Sequence, residues 1–164
     1  MEIEKNYFFT GKTKVVDGVT LKQIECEMYG VGGWIEDEEN LTQWGSCWVS
    51  ENAMVFGNAT VYCDAQISGN AKVYDYAEVS GDAKVYDNAI IAGDANVYGY
   101  AEVYGYSELY GDATVYGDSK VYGNAVVRGD AEVYGDAQIY GNAEVCGNAV
   151  VRGDAEVCGD TVIK

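Results

Sequence analysis

Aspartates recur at a regular spacing in this sequence. A row of carboxylates can present negative charge to a basic partner, hold a cation, or act as a general base where burial raises the carboxyl pKa. Turn residues are exposed and carry one carboxylate each, so they suit the first role and neither of the others. The row therefore predicts charge presentation. Its members are separated by eighteen residues or a multiple of eighteen: Asp64, Asp82, Asp118, Asp136 and Asp154.

The same row has a purely structural interpretation. Asn and Asp both suit a tight backbone corner, and equivalent positions elsewhere carry Asn, as at Asn70, Asn88, Asn124 and Asn142. Asn would form the corner without repulsion, whereas carboxylates about 5 Å apart in water repel by roughly 0.8 kcal/mol. The concentration of Asp in one row therefore indicates an acidic stripe that a partner uses, with turn chemistry as the alternative.

Residue types that catalysis at neutral pH usually needs are missing. The chain has no His, so no side chain has an unperturbed pKa near neutrality. It also lacks a GxSxG motif, a phosphate-binding loop and a Cys with a partner base. The Cys residues show no CxxC spacing, and single carboxylates fall short of the six to eight oxygens that calcium takes. We therefore predict no catalytic residue, no metal site and no cofactor.

Tyrosines form a second regular set. The spacing of eighteen residues recurs in two columns, one of Tyr86, Tyr104, Tyr122 and Tyr140 and one of Tyr98, Tyr116 and Tyr134. In the structural interpretation, stacked rings add about 0.5–1.5 kcal/mol of stability per pair. Tyr is also a common anchor in protein interfaces. We predict a partner-binding surface made of the Asp row and the first Tyr column.

A six-residue repeat positions all of these side chains, and it runs from Ala53 to Lys164 without insertion. One unit reads Ala-x-Val-Tyr-Gly-Asp, as in residues 113–118. Small and aliphatic residues alternate with polar ones, which is the period of a half-buried strand. Gly and the Asp or Asn after it both tolerate positive φ and mark a tight corner. The alternation of short strands and corners predicts a parallel β-solenoid.

The pattern aliphatic-x-Gly-x-Ala-x resembles the hexapeptide repeat of left-handed parallel β-helices. This resemblance implies an all-β fold in which three hexapeptides form one coil of eighteen residues, with about six coils here. The segments 32–36, 40–43 and 45–53 are similar to the start of YdcK-type hexapeptide proteins of bacteria and phages, which are labelled transferase-like. Enzymes of this fold, acyltransferases and γ-type carbonic anhydrases, depend on His, so the resemblance carries over no catalytic residue.

Residues 1–46 follow a different pattern from residues 47–164, which predicts a β-rich capping segment followed by the solenoid. The stretch from Val16 to Val19 contains Asp-Gly and reads as a tight hairpin turn. A solenoid needs a cap because its end strand exposes unpaired N–H and C=O groups. Trp34, Trp44 and Trp48 cluster at the junction, and we expect Trp34 and Trp48 to be largely buried there.

Outward-facing apolar residues indicate self-association. Ile90 and Val126 occupy outward positions on one face, where the N-terminal hairpin or a second subunit is expected to cover them. The sequence is still in repeat register at Val162 and Ile163, and an open strand edge invites pairing. We expect a homodimer that meets through Ile90 and Val126 or through the coil at Val162 and Ile163.

The amino-acid composition limits which kind of partner the chain can bind and indicates its cellular compartment. The chain of 164 residues has 10 Lys and Arg against 27 Asp and Glu, a formal net charge of −17. This excess speaks against direct binding to nucleic acid or an anionic membrane and favours a basic protein partner. No signal peptide is recognisable, and Cys146 and Cys158, which replace Tyr in their repeats, are expected to be buried or half-buried free thiols. We expect a reduced, cytoplasmic protein.

Three functions remain open from the sequence. The first is a non-enzymatic acidic β-solenoid that binds a protein partner. In its sharpest form it is a phage-encoded inhibitor that mimics a nucleic-acid backbone and occupies the basic groove of a bacterial defence protein. The second is a structural or self-assembling module, and the third is a hexapeptide-type acyltransferase, which the absence of His disfavours. The sequence favours the first.

Overall fold

The computed structural model describes residues 6–164, which are all-β. The first strands, which include those of the N-terminal segment, are β1 (Phe8–Val16), β2 (Val19–Cys26), β3 (Gly30–Ile35), β4 (Trp48–Val49), β5 (Met54–Val55), β6 (Thr60–Val61), β7 (Gln66–Ile67) and β8 (Lys72–Val73). The middle strands are β9 (Glu78–Val79), β10 (Lys84–Val85), β11 (Ile90–Ile91), β12 (Asn96–Val97), β13 (Glu102–Val103), β14 (Glu108–Tyr110), β15 (Thr114–Val115) and β16 (Lys120–Val121). The last strands are β17 (Val126–Arg128), β18 (Glu132–Val133), β19 (Gln138–Ile139), β20 (Glu144–Val145), β21 (Val150–Val151), β22 (Glu156–Val157) and β23 (Val162–Ile163).

The short strands form three parallel sheets that wind around one core. Every third strand pairs with the next, so Lys84 lies opposite Glu102 and Val85 opposite Val103, eighteen residues on. Sheet I has the order β1-β2-β3-β5-β8-β11-β14-β17-β20-β23, sheet II the order β21-β18-β15-β12-β9-β6, and sheet III the order β22-β19-β16-β13-β10-β7-β4. The prediction of an all-β parallel solenoid is confirmed.

The solenoid has about seven coils rather than about six, because an irregular coil precedes the regular repeats. Strand β3 pairs in parallel with β5, with Trp34 opposite Met54. Leu41 forms a parallel bridge with Val61, and β4 pairs with β7. This coil does not show the six-residue spacing, because its corners are longer than two residues. Residues 1–5 of the predicted capping segment lie outside the described residues.

The core is a column of small and aliphatic side chains. Ala113 and Val115 point inward and are fully buried, and the same pair of positions is buried in almost every coil. Full burial of one Val contributes about 1.5–3 kcal/mol, so the regular supply of inward aliphatic residues stabilises every coil. Ser107 and Ser119 replace Ala in the core, and each hydroxyl donates a hydrogen bond to a backbone carbonyl three residues earlier, at 2.9 and 2.8 Å.

The corners place positive φ at one position only, the residue before the Asp or Asn. Gly99 has φ +73°, and a Cβ there would lie 3.0 Å from the amide nitrogen of Gly117 in the next coil. The Asp or Asn that follows has no positive φ in the solenoid corners. Asp75 and Asp87 occupy the Gly position with φ of 62° and 60°, and each carboxylate accepts a hydrogen bond at 3.3 Å from the Gly amide one coil on.

The N-terminal segment closes the first coil from within. Tyr7, Ile24 and Leu41 are buried at the end of the core, and the Tyr7 hydroxyl donates a hydrogen bond of 2.8 Å to the Leu41 carbonyl. Asn40 is buried and fully paired. Its side-chain oxygen accepts from two backbone amides at 3.0 Å, and its amide donates to two carbonyls of the next coil at 3.0 Å. One side chain thus replaces the backbone pairing that the irregular corner lacks.

The predicted hairpin is confirmed, with Val16 paired to Val19 and Asp17 and Gly18 at φ of 51° and 84°. Leu21 packs with Met54 and Phe56, so the hairpin covers the outer surface of sheet I over its first coils. The hairpin therefore covers Met54 and Phe56, and neither Ile90 nor Val126 belongs to that cluster.

The tryptophans are less buried than expected. Trp34 and Trp48 are half-buried and Trp44 is 69% exposed. The reason is strand alternation: Trp34 and Trp48 point outward, while their neighbours Ile35 and Val49 fill the core. The Lys14 ammonium lies 4.4 Å from the ring centre of Trp34, and Tyr29 packs against Trp48 with ring centroids 5.5 Å apart. The tryptophans cover the outside of the first coil, and Tyr7 and Leu41 close its interior.

The hairpin contact predicts a local effect of one substitution. Leu21→Ala removes a fully buried side chain that joins the hairpin to Met54 and Phe56, and such truncations cost about 2–5 kcal/mol. We expect hydrogen exchange in β1 and β2 to accelerate while the regular coils stay protected. Val15→Ala in the same hairpin is the control, since Val15 is 69% exposed. Equal protection of the hairpin in both variants would contradict this assignment.

Candidate functional site

The predicted Asp row follows one corner of the solenoid, between sheets II and III. All five of its aspartates are exposed, and the Asp64 carboxylate accepts a hydrogen bond of 3.1 Å from the Ser46 amide. Tyr100 occupies the equivalent position in the middle of the row. The structure therefore keeps these carboxylates together along one edge, in contact with water.

The predicted Tyr column lies on the opposite edge of sheet III. Tyr86, Tyr104, Tyr122 and Tyr140 stack with centroid separations of 4.7, 5.0 and 5.0 Å and nearly parallel rings. Three of their hydroxyls lie 3.3 Å from polar side chains of the next coil, at Glu102, Gln138 and Glu156. The column thus adjoins the corner between sheets III and I, at the end of the strands that begin at the Asp row.

Between the Asp row and this Tyr column lies a row of mixed charge. The Lys120 ammonium is 3.5 Å from the Glu102 carboxylate. A shallow depression of about 370 Å³ is lined by Asp64, Asp82, Lys84 and Glu102, among others. Lysines in this row reduce the negative potential beside the aspartates. The two sets that the sequence combined into one surface are therefore separated by ammonium groups.

The second Tyr column is the one that adjoins the Asp row. Tyr98, Tyr116 and Tyr134 end the strands of sheet II and stack with centroid separations of 4.9 Å, at interplanar angles of 8° and 13°. Each is followed after one residue by the corner between sheets II and III, at Tyr100, Asp118 and Asp136. This adjacency is readable from the sequence, since each Tyr of this column lies two residues before its corner residue.

A second acidic row borders the same sheet. Asp94, Asp112 and Asp130 occupy the corner between sheets I and II and are exposed. We call sheet II with its two flanking corners the acidic face. Through its first five regular coils the acidic face carries no Lys or Arg, and Arg152 follows in the next coil. Its carboxylates in those coils are Asp64, Asp75, Glu78, Asp82, Asp94, Asp112, Asp118, Asp130, Glu132 and Asp136.

The third corner has a structural role that explains its Asn residues. Between sheets III and I, Asn52 donates to Asn70, Asn70 to Asn88 and Asn124 to Asn142, through amide-to-oxygen hydrogen bonds of 3.3, 3.2 and 3.1 Å. Asn142 donates in turn to Asp160 at 3.0 Å. An amide both donates and accepts, whereas a carboxylate only accepts, so Asp cannot form such a ladder. Ladder bonding therefore accounts for the Asn corner and leaves the Asp corners without the same explanation.

Burial and neighbouring groups raise the pKa of several stacked tyrosines. Burial raises the pKa of Tyr98, and the charge of Glu132 raises it further. Burial also raises the pKa of Tyr116. On sheet III, hydrogen bonding to Cys158 and nearby negative charge raise the pKa of Tyr140 to about 12. These raised pKa values keep Tyr98 and Tyr116 uncharged at neutral pH, so these two rings add no negative charge to the acidic face.

The predicted oligomerisation residues divide into two groups. Ile90 and Val126 are half-buried in the outer row of sheet I, with Glu108 between them. Beside them the Arg128 side chain donates to the Glu144 carboxylate at 2.6 Å. In the last coil Val162 is 52% exposed, whereas Ile163 points inward and packs against the core. Ile163 is therefore mainly a core residue.

All five cysteines are free. Cys47 is buried, and burial raises its pKa to about 11. Cys146 is buried as expected, whereas Cys158 is exposed, because it stands in the outward Tyr column of sheet III near the end of the solenoid. Within residues 6–164 no three side chains suited to metal binding come together, and no helix there is long and apolar enough to cross a membrane.

The difference between the Asn and Asp corners predicts opposite effects of exchanging the two residues. Asn142→Asp removes the donor to Asp160 and places two carboxylates side by side, which costs about 1 kcal/mol or more. The thermal midpoint should fall by about 2–4 °C. Asp136→Asn removes repulsion from its neighbours in the Asp row and should leave the midpoint unchanged or slightly higher. Calorimetry on both variants measures this, and a loss of stability in Asp136→Asn would contradict it.

Comparison with known proteins agrees with this geometry. The sequence model of the YdcK beta solenoid repeat matches residues 65–81 and 137–153. Each match spans about one coil of three strands. A search of curated proteins finds no significant match. The matched repeats and the stacked parallel sheets identify the chain as a repeat β-helix protein related to the YdcK-type proteins.

Proposed function

We propose that this solenoid is a non-enzymatic binding protein whose acidic face docks onto a basic protein partner. The observation that carries the proposal is the composition of that face: two rows of Asp flank a Tyr ladder, and no Lys or Arg lies among them in the first five regular coils. Potentials of one sign over a rigid surface attract a partner of opposite sign and speed its association. Stacked Tyr rings add a fixed anchor between the charges.

The charge density of the acidic face is comparable with that of a nucleic acid. Coils repeat about every 4.8 Å, so its ten carboxylates over five coils give roughly one charge per 2.4 Å. Duplex DNA carries one charge per about 1.7 Å of axis. The face thus offers charge density without base edges. This supports the finer proposal of an inhibitor that occupies the basic groove of a bacterial nucleic-acid-handling protein, including a phage-defence protein, in the cytoplasm.

Self-association is a compatible second role. Ile90 and Val126 lie on sheet I, which does not belong to the acidic face, so a homodimer formed through them leaves the acidic face free for a partner. An acyltransferase stays disfavoured because the chain has no His to act as general base.

The proposal predicts the effect of neutralising the Asp row. Replacing its five members with Asn keeps the corner chemistry and the fold. We expect the variant to lose the basic proteins that the wild type captures from a bacterial lysate at low salt. Capture by the wild type should itself weaken steeply as salt rises. Competition by duplex DNA for the captured partner tests mimicry directly. The substituted residues are Asp64, Asp82, Asp118, Asp136 and Asp154.

A matched control separates the acidic face from net charge. Five exposed carboxylates outside that face are replaced by amides, which removes the same formal charge. We expect this variant to capture the partner as the wild type does. If both variants lose capture equally, the partner responds only to net charge; if both retain it, the Asp row serves as turn chemistry only. The control positions are Asp17, Glu25, Glu27, Glu39 and Glu51.

A further inference from the structure

The Tyr ladder of the acidic face is interrupted at one position. Tyr62, Ser80 and Tyr98 occupy the same outward position in successive coils of sheet II. Rings in adjacent coils of this ladder are 4.9 Å apart, so the rings of Tyr62 and Tyr98 are separated by two such steps, about 10 Å. Ser80 has no ring to place between them. The missing ring leaves a gap one planar group thick.

The rings beside this gap are oriented as ladder members and are uncovered. The Tyr62 hydroxyl lies 3.2 Å from the Glu78 carboxylate of the next coil. Tyr86 makes the same kind of contact with Glu102 in the uninterrupted ladder of sheet III. Tyr62 and Tyr98 are 36% and 39% exposed, whereas the ladder residues Tyr116 and Tyr134 are half-buried.

A second ladder gap in the solenoid is closed. On sheet I, Ala92 follows Tyr74 in the outward column, yet Ala92 is only 6% exposed. Ser80 by contrast keeps intermediate exposure. The gap at Ser80 is thus an accessible feature of the acidic face.

The chemistry around the gap favours a planar cation. Two aromatic faces about 10 Å apart accept one flat group between them, and a cation gains further from the ring quadrupoles. Glu78 and Asp82 lie two residues to either side of Ser80, so carboxylates border the gap in its own coil. A guanidinium is both planar and always charged, and it stacks on aromatic rings, whereas an ammonium is a compact, strongly hydrated charge.

The chain itself places guanidinium groups in these columns. Arg152 follows Tyr134 in the same ladder, and Arg128 follows Tyr110 on sheet I, where the two residues are register partners. Both arginines of the chain therefore occupy Tyr positions one coil after a Tyr. Of the lysines in the repeats, Lys72, Lys84 and Lys120 stand at mid-strand positions, whereas Lys164 stands at a Tyr position one coil after Cys146. The repeat thus places an Arg residue one coil after a Tyr at two positions, and at one of them the Arg128 guanidinium pairs with Glu144 of the next coil.

We propose that the gap at Ser80 is a binding site for an arginine side chain, whose guanidinium stacks between Tyr62 and Tyr98 and pairs with the carboxylates beside it. The inference rests on the proposed function, because it names the group that a basic partner inserts into the acidic face. The gap would then recognise Arg specifically, whereas the Asp rows attract Lys and Arg of the partner alike.

The test uses argininamide and lysinamide as probes of the full chain. Titration followed by the NMR signals of the Tyr62 and Tyr98 rings should saturate with argininamide and respond far less to lysinamide at equal concentration. Ser80→Tyr completes the ladder with the residue that the repeat already uses, and we expect it to weaken argininamide binding at least about tenfold. Ser68→Tyr is the matched control, since it extends the ladder of sheet III and leaves the gap open.

Each outcome decides the inference. Binding of argininamide that survives Ser80→Tyr, an equal response to lysinamide, or saturation by adenosine and not by argininamide overturns it. The two proposals fail separately. If the Asp-row variant loses the partner while argininamide does not bind the wild type, the acidic face stands and the arginine site fails. If argininamide binds as expected while the Asp-row variant still captures the partner, the site stands and the Asp row is not the partner surface.

Discussion

The parallel hydrogen bond between residues of successive coils is the interaction on which the rest of this structure depends. Backbone amides donate to carbonyls of the next coil at about 2.9–3.0 Å along each sheet, as from Glu102 to Ser119 and from Tyr104 to Val121. This bonding forces every eighteenth residue into register. A property repeated in the sequence therefore becomes a continuous row on the surface, whether it is a ring, an amide or a carboxylate. Rigidity and periodicity of the surface have the same cause.

The three corners use that register in different ways. The Asn corner converts it into hydrogen bonds from one amide to the next, which adds stability. The two Asp corners convert it into parallel rows of like charge, which costs stability through repulsion. A stable solenoid does not need this cost, because Asn serves at the third corner. The repulsion falls on both edges of sheet II, which bears a Tyr ladder and carries no Lys or Arg through its first five regular coils. This coincidence links fold to proposed function.

Much of the fold was predictable because the repeat fixes it. The alternation of Ala and Val with polar residues determined the strands, and Asp17-Gly18 determined the hairpin turn. The first coil was not predictable in detail, since Asn40 replaces backbone pairing with side-chain bonds that leave no periodic signal. The outward direction of Trp34 and Trp48 followed from strand register, which the sequence shows only once β3 and β4 are recognised as strands of a coil.

The sequence predicted the components of the candidate site but not how they are combined on the surface. The sequence indicated the Asp row and both Tyr columns but joined Asp118 to the column of Tyr122, across a row that contains Lys120. The Tyr column that adjoins the Asp row is the one on sheet II, because Tyr116 directly follows a strand of that sheet and lies two residues before Asp118. Residue type alone could not make that choice. The second Asp row gained meaning only when the winding order placed Asp112 on the other edge of the same sheet.

The central claim is that the acidic face is the surface a partner covers. Carbodiimide labelling of carboxylates in the isolated protein and in its complex, read by mass spectrometry, tests it most directly. The account predicts that Asp94, Asp112 and Asp118 lose reactivity in the complex while Glu108 on sheet I and Glu156 on sheet III keep theirs. Protection of Glu108 or Glu156 with unchanged labelling of the three aspartates would contradict it.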